Sequence, residues 1–466
     1  MMNSIYDYII DYELSKLVSK EILQKYQFIP IRNFEIYMIV AIVDENINKS
    51  ILEELFNTPI KFIKIPKMVF EYEMMYLEYK YEIFKLANTS LTQDINNINY
   101  STIEVFNTKM FFFAILLNSS DIHMETQKES MIIRFRIDGV LKQIFNFEYK
   151  LYYILSSSIK LLSSLDISQK RLPQNGRFSL NIKDESFDFR VSIMPSIYGE
   201  SIVIRILDNK KAYMPLEEIG FTNEVYNNIQ QNINYTNGLV LITGPTGSGK
   251  TTTMYSILNK LNDSAKKIIT IEDPIEYNLK GIIQININED IGLSYEEVLK
   301  NILRQDPDIL MIGEIRDIKT LQIAVQASLT GHLVFATLHT NSAIKTLNRL
   351  FDLKAEPFLI SAALRMIISQ KLIRILCENC KEEIIIDDKK VYKAKGCKIC
   401  NLSGYIKREV LAESLCIDEK ISKMINENLD ISRIEEYSNY TSIKDVAYQK
   451  VLSGQTSFEE YYKNEI

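Results

Sequence analysis

The sequence predicts an α/β protein built on a parallel-rich sheet, with further domains ahead of it. Three observations predict this. From about residue 213 onward, apolar strand-like runs alternate with helical stretches, the pattern of a parallel sheet. A glycine-rich loop at 244–249 joins one such run to a helix. The 466 residues exceed one ordinary core, which suggests two to four domains.

Taken in order, residues 1–90 mix short helical patterns with the apolar runs 38–43 and 62–65, and 72–86 has helical spacing. This is the expected N-terminal domain, a partner-docking one. The polar stretch 90–100, with Ser90, Gln93, Asp94, Asn96, Asn97 and Asn99, reads as a linker. A second α+β domain, 91–208, opens with a helix after that stretch. The run Ile132-Ile133-Arg134-Phe135-Arg136-Ile137 then leads into Asp138-Gly139, a hairpin signal. Residues 187–193 and 201–207 read as further strands. A linker at 209–215 precedes the α/β domain, 216–466, with a cysteine-bearing module at 377–404 and a helical end from 417.

Composition excludes several classes. A net charge of -6 carries no basic excess, which argues against a nucleic-acid binder. No stretch reaches the roughly 18 apolar residues of a membrane-spanning helix. Residues 1–13 carry acids and no basic leader, so no secretory signal is expected. The expected compartment is the cytosol, where paired cysteines point to metal or catalysis before disulfides.

Residues 239–243 form a buried-strand run, followed by Gly244-Pro245-Thr246-Gly247-Ser248-Gly249-Lys250-Thr251 and a helix from Thr252. This is GxxxxGK[ST] in its strand–loop–helix setting. Glycines turn backbone N–H groups inward onto phosphate oxygens, and the helix N-terminus adds its positive end. Lys250 supplies a point charge to the β- and γ-phosphates, and Thr251 a Mg²⁺ ligand. The bland alternative is a glycine turn; a chance match in a chain this long is on the order of one in a hundred, so ATP is the expected ligand.

Such a site needs carboxylates at neighbouring strand tips. The run 268–271 ends in Glu272 with Glu276 four residues on, and 309–312 ends in Gly313-Glu314. Glu314 is the first candidate to orient water or serve Mg²⁺, then Glu276, then Glu272. His332 and His339 flank another apolar run, 333–338. Either is placed to sense a γ-phosphate or to be an ordinary structural histidine.

Cys377-Glu378-Asn379-Cys380 and Cys397-Lys398-Ile399-Cys400 are separated by the sixteen residues 381–396. That spacing suits a closed, structural Zn²⁺ site; two redox pairs or plain buried thiols are the alternatives. Arg134, Arg136, Arg190 and Arg205 lie on the strands expected in the second domain. Each is either solvated or a finger that stabilises charge on a transferring phosphate.

Together these motifs resemble the type II secretion and type IV pilus assembly ATPases. The carrying residues are Ser120-Asp121-Ile122-His123-Met124-Glu125, Arg134 through Gly139, Arg171 through Arg177, and Arg190-Val191-Ser192 with Pro195 and Gly199-Glu200. In the later domain, 270–276 is similar to the family's aspartate box and 303–317 to its Walker B segment. Thr330-Gly331-His332 and Thr337 through Asn341 are similar to its histidine box. Asn175 and Lys407 depart from the pattern, where the family has aspartate and glycine, at positions that look structural.

The resemblance implies a RecA-like P-loop motor domain, preceded by an α+β, PAS-like domain and a small N-terminal α/β domain. It implies a homohexamer whose ATP lies between the second and motor domains, with Arg190 and Arg205 on phosphate. It further implies an inner-membrane platform protein as the driven partner, a membrane-anchored docking partner, and peripheral placement at the inner face of the membrane. The N-terminal region lacks the cyclic-dinucleotide pattern. The tetracysteine module resembles assembly rather than retraction motors. A nucleic-acid motor, a small-molecule kinase, a non-enzymatic adaptor and a competence or retraction-type ATPase remain the rival readings.

Overall fold

The computed structural model describes residues 5–92, 100–183, 185–208, 212–427, 431–438 and 440–463. The chain divides into two compact units: Met1–Asp208 with Cys377–Lys381 and Ala394–Ile406, and Asn209–Leu376 with Glu382–Lys393 and Lys407–Ile466.

In the first unit, the helix Lys20–Tyr26 leads into a three-stranded sheet. Phe28–Asn33 runs antiparallel to Met38–Ile42, which pairs in parallel with Ile60–Lys64. The helix Lys67–Thr92 follows; 93–99, most of the expected linker, lie outside the described residues. Next comes the helix Tyr100–Leu116, so apolar that Phe106, Phe111 and Phe113 are all fully buried. It packs on a six-stranded sheet in the order Val140–Glu148, Ser130–Ile137, Ser119–Thr126, Gly199–Asp208, Glu185–Ser196, Gln174–Ile182. Every neighbouring pair in it is antiparallel. Along Ser130–Ile137 burial alternates residue by residue, as it must when one face meets a core and the other solvent. The Phe111 ring lies 4.9 Å from that of Phe189, and Phe113 lies 6.1 Å from Phe135. Asp138 and Gly139 have φ of 49° and 83°, which is the tight primed hairpin turn that Asp-Gly favours.

The second unit is a seven-stranded sheet in the order Ile283–Asn286, Ile268–Glu272, Ile309–Ile312, Leu333–Leu338, Gly238–Thr243, Leu364–Leu376, Tyr405–Cys416. The first six of these strands run parallel to one another. Gly238–Thr243 is buried at every position because both faces are covered. Leu239 and Leu241 enter one core, and Val240 and Ile242 the other. The strand Leu333–Leu338 divides in the same way. Helices Glu419–Asn426, Ile431–Ser438, Ile443–Leu452 and Phe458–Lys463 make up the end of the chain.

Candidate nucleotide site and metal centre

Parallel strands carry their loops out at their carboxyl ends, where ligands of open α/β sheets bind. Here Thr243, Glu272, Ile312 and Leu338 all end on that edge. Gly238–Thr243 runs into the loop 244–249, and the helix Lys250–Leu261 leaves it. Gly249 caps that helix with φ 88°, a conformation that favours glycine. At Gly244 a Cβ would stand 2.2 Å from the Gln370 carbonyl oxygen, so only glycine lets the loop pass that strand. The Gln370 side chain also donates to the Ser248 carbonyl at 2.9 Å. Ser248 Oγ and Thr253 Oγ1 are buried without a hydrogen-bond partner.

Lys250 Nζ donates to the Gly244 and Pro245 carbonyls at 2.6 and 3.1 Å. Its ammonium therefore bridges the turn that a phosphate would enter. Burial lowers its pKa and the Glu314 carboxylate opposes that shift.

The next strand tips bring the acids in. Glu314 receives Arg316 Nε at 2.9 Å and lies 3.4 Å from His339 Nε2. Arg316 also faces Asp273 at 3.8 Å. Backbone bonds fix the spacing of these tips: Gly313 N–H to Ile271 O at 2.7 Å and Ile315 N–H to Thr337 O at 2.9 Å. The Thr337 hydroxyl donates to the Gly313 carbonyl. His339 is held below the usual imidazole range by burial first and then by the Lys250 charge.

Glu272 is buried and accepts three hydrogen bonds, from Tyr255 OH at 2.5 Å, Thr270 Oγ1 at 2.7 Å and Gln284 Nε2 at 3.2 Å. The Tyr255 hydroxyl in turn accepts the Glu276 N–H at 3.4 Å. One phenol thus ties the Glu272 carboxylate to the loop bearing Glu276.

The structure does not bring His332 to this edge. Its Nδ1 lies 2.9 Å from the Ala327 carbonyl, and its own carbonyl accepts the Gly238 N–H at 3.1 Å. It sits where the strand before the phosphate loop begins, about 17 Å of extended chain from the loop. Sequence reasoning also passed over Gln370 and Tyr255, and took in Thr340 only as part of the segment 337–341. The signal for Gln370 was present: Ser369-Gln370-Lys371 interrupts an otherwise apolar run, and such a buried break needs polar partners.

In the first unit, Arg177, Arg190, Arg205, Asp121 and Arg136 stand directly opposite one another across five adjacent strands. Opposed residues share a face, so the row sets four guanidiniums beside one carboxylate. Asp121 meets Arg205 Nε at 3.1 Å and Arg136 Nε at 3.4 Å. Arg134 pairs with Glu125 beside the row.

The four cysteine sulfurs lie within 4.8 Å of one another. Cys377–Cys397 is 3.9 Å, and Cys380–Cys400 and Cys397–Cys400 are each 3.7 Å. A tetrahedron with Zn–S near 2.3 Å has edges of about 3.8 Å, so the donor set and its spacing fit zinc. The Cys397 and Gly404 N–H groups donate to Cys400 Sγ at 3.1 and 3.2 Å, which suits a thiolate.

A phosphate-binding turn at the carboxyl edge of a parallel sheet, with glutamates on the adjoining tips, defines a P-loop ATPase. The chain belongs to the family described as Type II/IV secretion system protein, whose profile matches residues 97–463. It is 44% identical over 362 residues to the type II secretion system ATPase E of Vibrio cholerae, covering 74% of this chain and 72% of that protein. It is 41% identical over 362 residues to the type II secretion system protein E of Pseudomonas aeruginosa, over 74% and 72%. Among solved structures, the pilus retraction motor PilT with bound ADP matches with a TM-score of 0.57 and 27% identity, over 77% of this chain and 96% of that one. The Legionella pneumophila ATPase DotB shares the fold at a TM-score of 0.60 and 24% identity, over 77% and 95%.

Proposed function

We propose that this protein is the hexameric motor ATPase of a type II secretion or type IV pilus assembly system, acting at the inner face of the cell membrane. The observation that carries this is the phosphate turn with Lys250 and Glu314 on one sheet edge, in a chain 44% identical to a secretion ATPase. Lys250 leaves the loop carbonyls for the β- and γ-phosphates, while the N–H groups of 244–251 cradle the rest. Mg²⁺, held by Thr251, supplies charge neutralisation on the phosphates. Glu314 orients the attacking water, and His339, 3.4 Å from Glu314, sits beside it as a γ-phosphate sensor. Glu272 already accepts three hydrogen bonds, so its work is to hold the Glu276 loop. Glu276 is then the second acid of the site. His332 is assigned to the fold of the sheet. Arg190 and Arg205, in a row with excess positive charge, contact phosphate.

Zn²⁺ at Cys377, Cys380, Cys397 and Cys400 is structural. The driven partner is an inner-membrane platform protein, reached through a membrane-anchored docking partner. No helix among the described residues is long and apolar enough to cross a membrane itself. Purified chain should release phosphate from MgATP, and Lys250→Ala should not. Turnover equal to the parent in Lys250→Ala removes the assignment.

A further inference from the structure

Glu413 lies three residues before the end of the strand Tyr405–Cys416 and is almost completely buried. Its two oxygens do different things. One accepts the Ala343 N–H at 2.6 Å and the other the Ile443 N–H at 2.9 Å. Each of these amides is the first helical one, of the helices Ala343–Asp352 and Ile443–Leu452. Both helices already have serine caps: Ser342 accepts the Lys345 N–H, and Ser442 accepts the Asp445 N–H. The first amide of each helix thus converges on one carboxylate, placed at the positive ends of two helix dipoles.

The first of these helices starts four residues after His339. Between them, Thr340 accepts and donates at the strand tip that opens the phosphate loop: its N–H goes to Thr243 Oγ1 at 3.0 Å, and Thr243 Oγ1 donates to its carbonyl at 3.0 Å. The Thr340 hydroxyl also meets Thr346 of the helix at 2.6 Å. A continuous path therefore runs from Glu413 through the helix start to Thr340, His339 and the turn at Gly244. The other oxygen anchors the helical end of the chain.

We infer that Glu413 is a positioning residue for ATP hydrolysis: it fastens the segment bearing His339 and Thr340 in register with the phosphate loop, and ties that register to the C-terminal helices. This rests on the ATPase reading above. Glutamine at 413 is nearly isosteric but offers one oxygen acceptor; its NH₂ must face an amide that also donates, so one helix start is released. Ala343→Pro tests the nucleotide side alone. Proline is tolerated by the backbone at the first helical position; it removes that N–H and sets a ring carbon against the Glu413 oxygen the N–H met, so this contact is broken from the helix side. Ser342 is already extended, at φ -154° and ψ 160°, as the residue before proline prefers.

The experiment measures kcat and KM for MgATP on the full chain, well below its melting temperature, with hydrogen exchange as a second readout. Glu413→Gln is expected to lower kcat roughly tenfold or more with KM within about threefold. Faster exchange is expected at 340–346 in that variant. Ala343→Pro is expected to lower kcat in the same way. Parent kcat in both variants overturns the inference. So does a loss of kcat matched by an equal loss of ADP binding, which marks general damage. If Glu413→Gln fails to fold, Ala343→Pro decides. A parent protein without turnover fails the ATPase reading instead, and is told apart by that control.

Discussion

Lys250 shows how much one charge carries. Its ammonium rests on two carbonyls of the turn, so substitution by alanine removes little of the packing. Lys250→Ala is therefore expected to cost on the order of 10²-fold or more in turnover and to leave the thermal midpoint nearly unchanged; phosphate release and thermal unfolding read the two separately. Tyr255 is the opposite case. Its hydroxyl serves a buried carboxylate, and Tyr255→Phe leaves Glu272 short of a donor. Stability should fall by about 1–3 kcal/mol, read from denaturant midpoints. His339 adds a pH dependence. Its folded pKa is lowered, by burial first and then by Lys250, so the unfolded chain takes up this proton before the folded one as pH falls. The site's contribution is unfavourable from about pH 6.5 downward through the lowered value. The drop in thermal midpoint between pH 7.5 and 5.5 should be smaller in His339→Gln than in the parent, and an equal drop refutes this.

The cysteine module stands as an element apart from the chain on either side of it. Chain neighbours on both sides belong to the second unit, yet Cys377–Lys381 and Ala394–Ile406 are part of the first. Asn401 explains this: Tyr76 OH donates to its side-chain oxygen at 2.8 Å and Lys142 Nζ to its carbonyl at 2.5 Å. Asn401 and Leu402 both have positive φ, 48° and 62°, immediately after the fourth cysteine. That backbone is held by the knuckle, through Leu402 N–H to Cys397 O at 2.9 Å and Ser403 N–H to Cys400 O at 2.9 Å. Asn401→Val, a β-branched residue in a left-handed position, should strip bound metal faster in a chelator competition than the parent, at a cost of about 1–3 kcal/mol. Metal loss at parent rate goes against the coupling. The sequence made the phosphate loop, the cysteine pairs and the Asp-Gly hairpin readable, because each depends on local backbone geometry or ligand spacing. The strands Leu364–Leu376 and Tyr405–Cys416 escaped notice because their place in the sheet is set by pairing with distant partners. His332 and His339 flank one apolar run in the sequence, and only the pairing of that strand shows which of its ends meets the phosphate-loop edge.

At the scale of the molecule, the second unit carries a phosphate turn, a feature that calls for a polyanion. A net charge of -6 on the chain makes nucleic acid an unsuitable one, whereas ATP supplies compact negative charge at a single point. Copies that associate head to tail through unlike surfaces must close into a ring or grow into a filament, and closure gives a finite assembly with repeated sites. The expected assembly is six copies in the presence of nucleotide, by light scattering on a sizing column. Turnover per chain should then fall on dilution below the association range. Mixing with Lys250→Ala chains should depress activity more steeply than the fraction of mutant, the outcome expected of a ring whose sites act in concert. A strictly proportional fall, together with a monomeric mass in ATP, contradicts the ring and leaves an ATPase whose sites work alone.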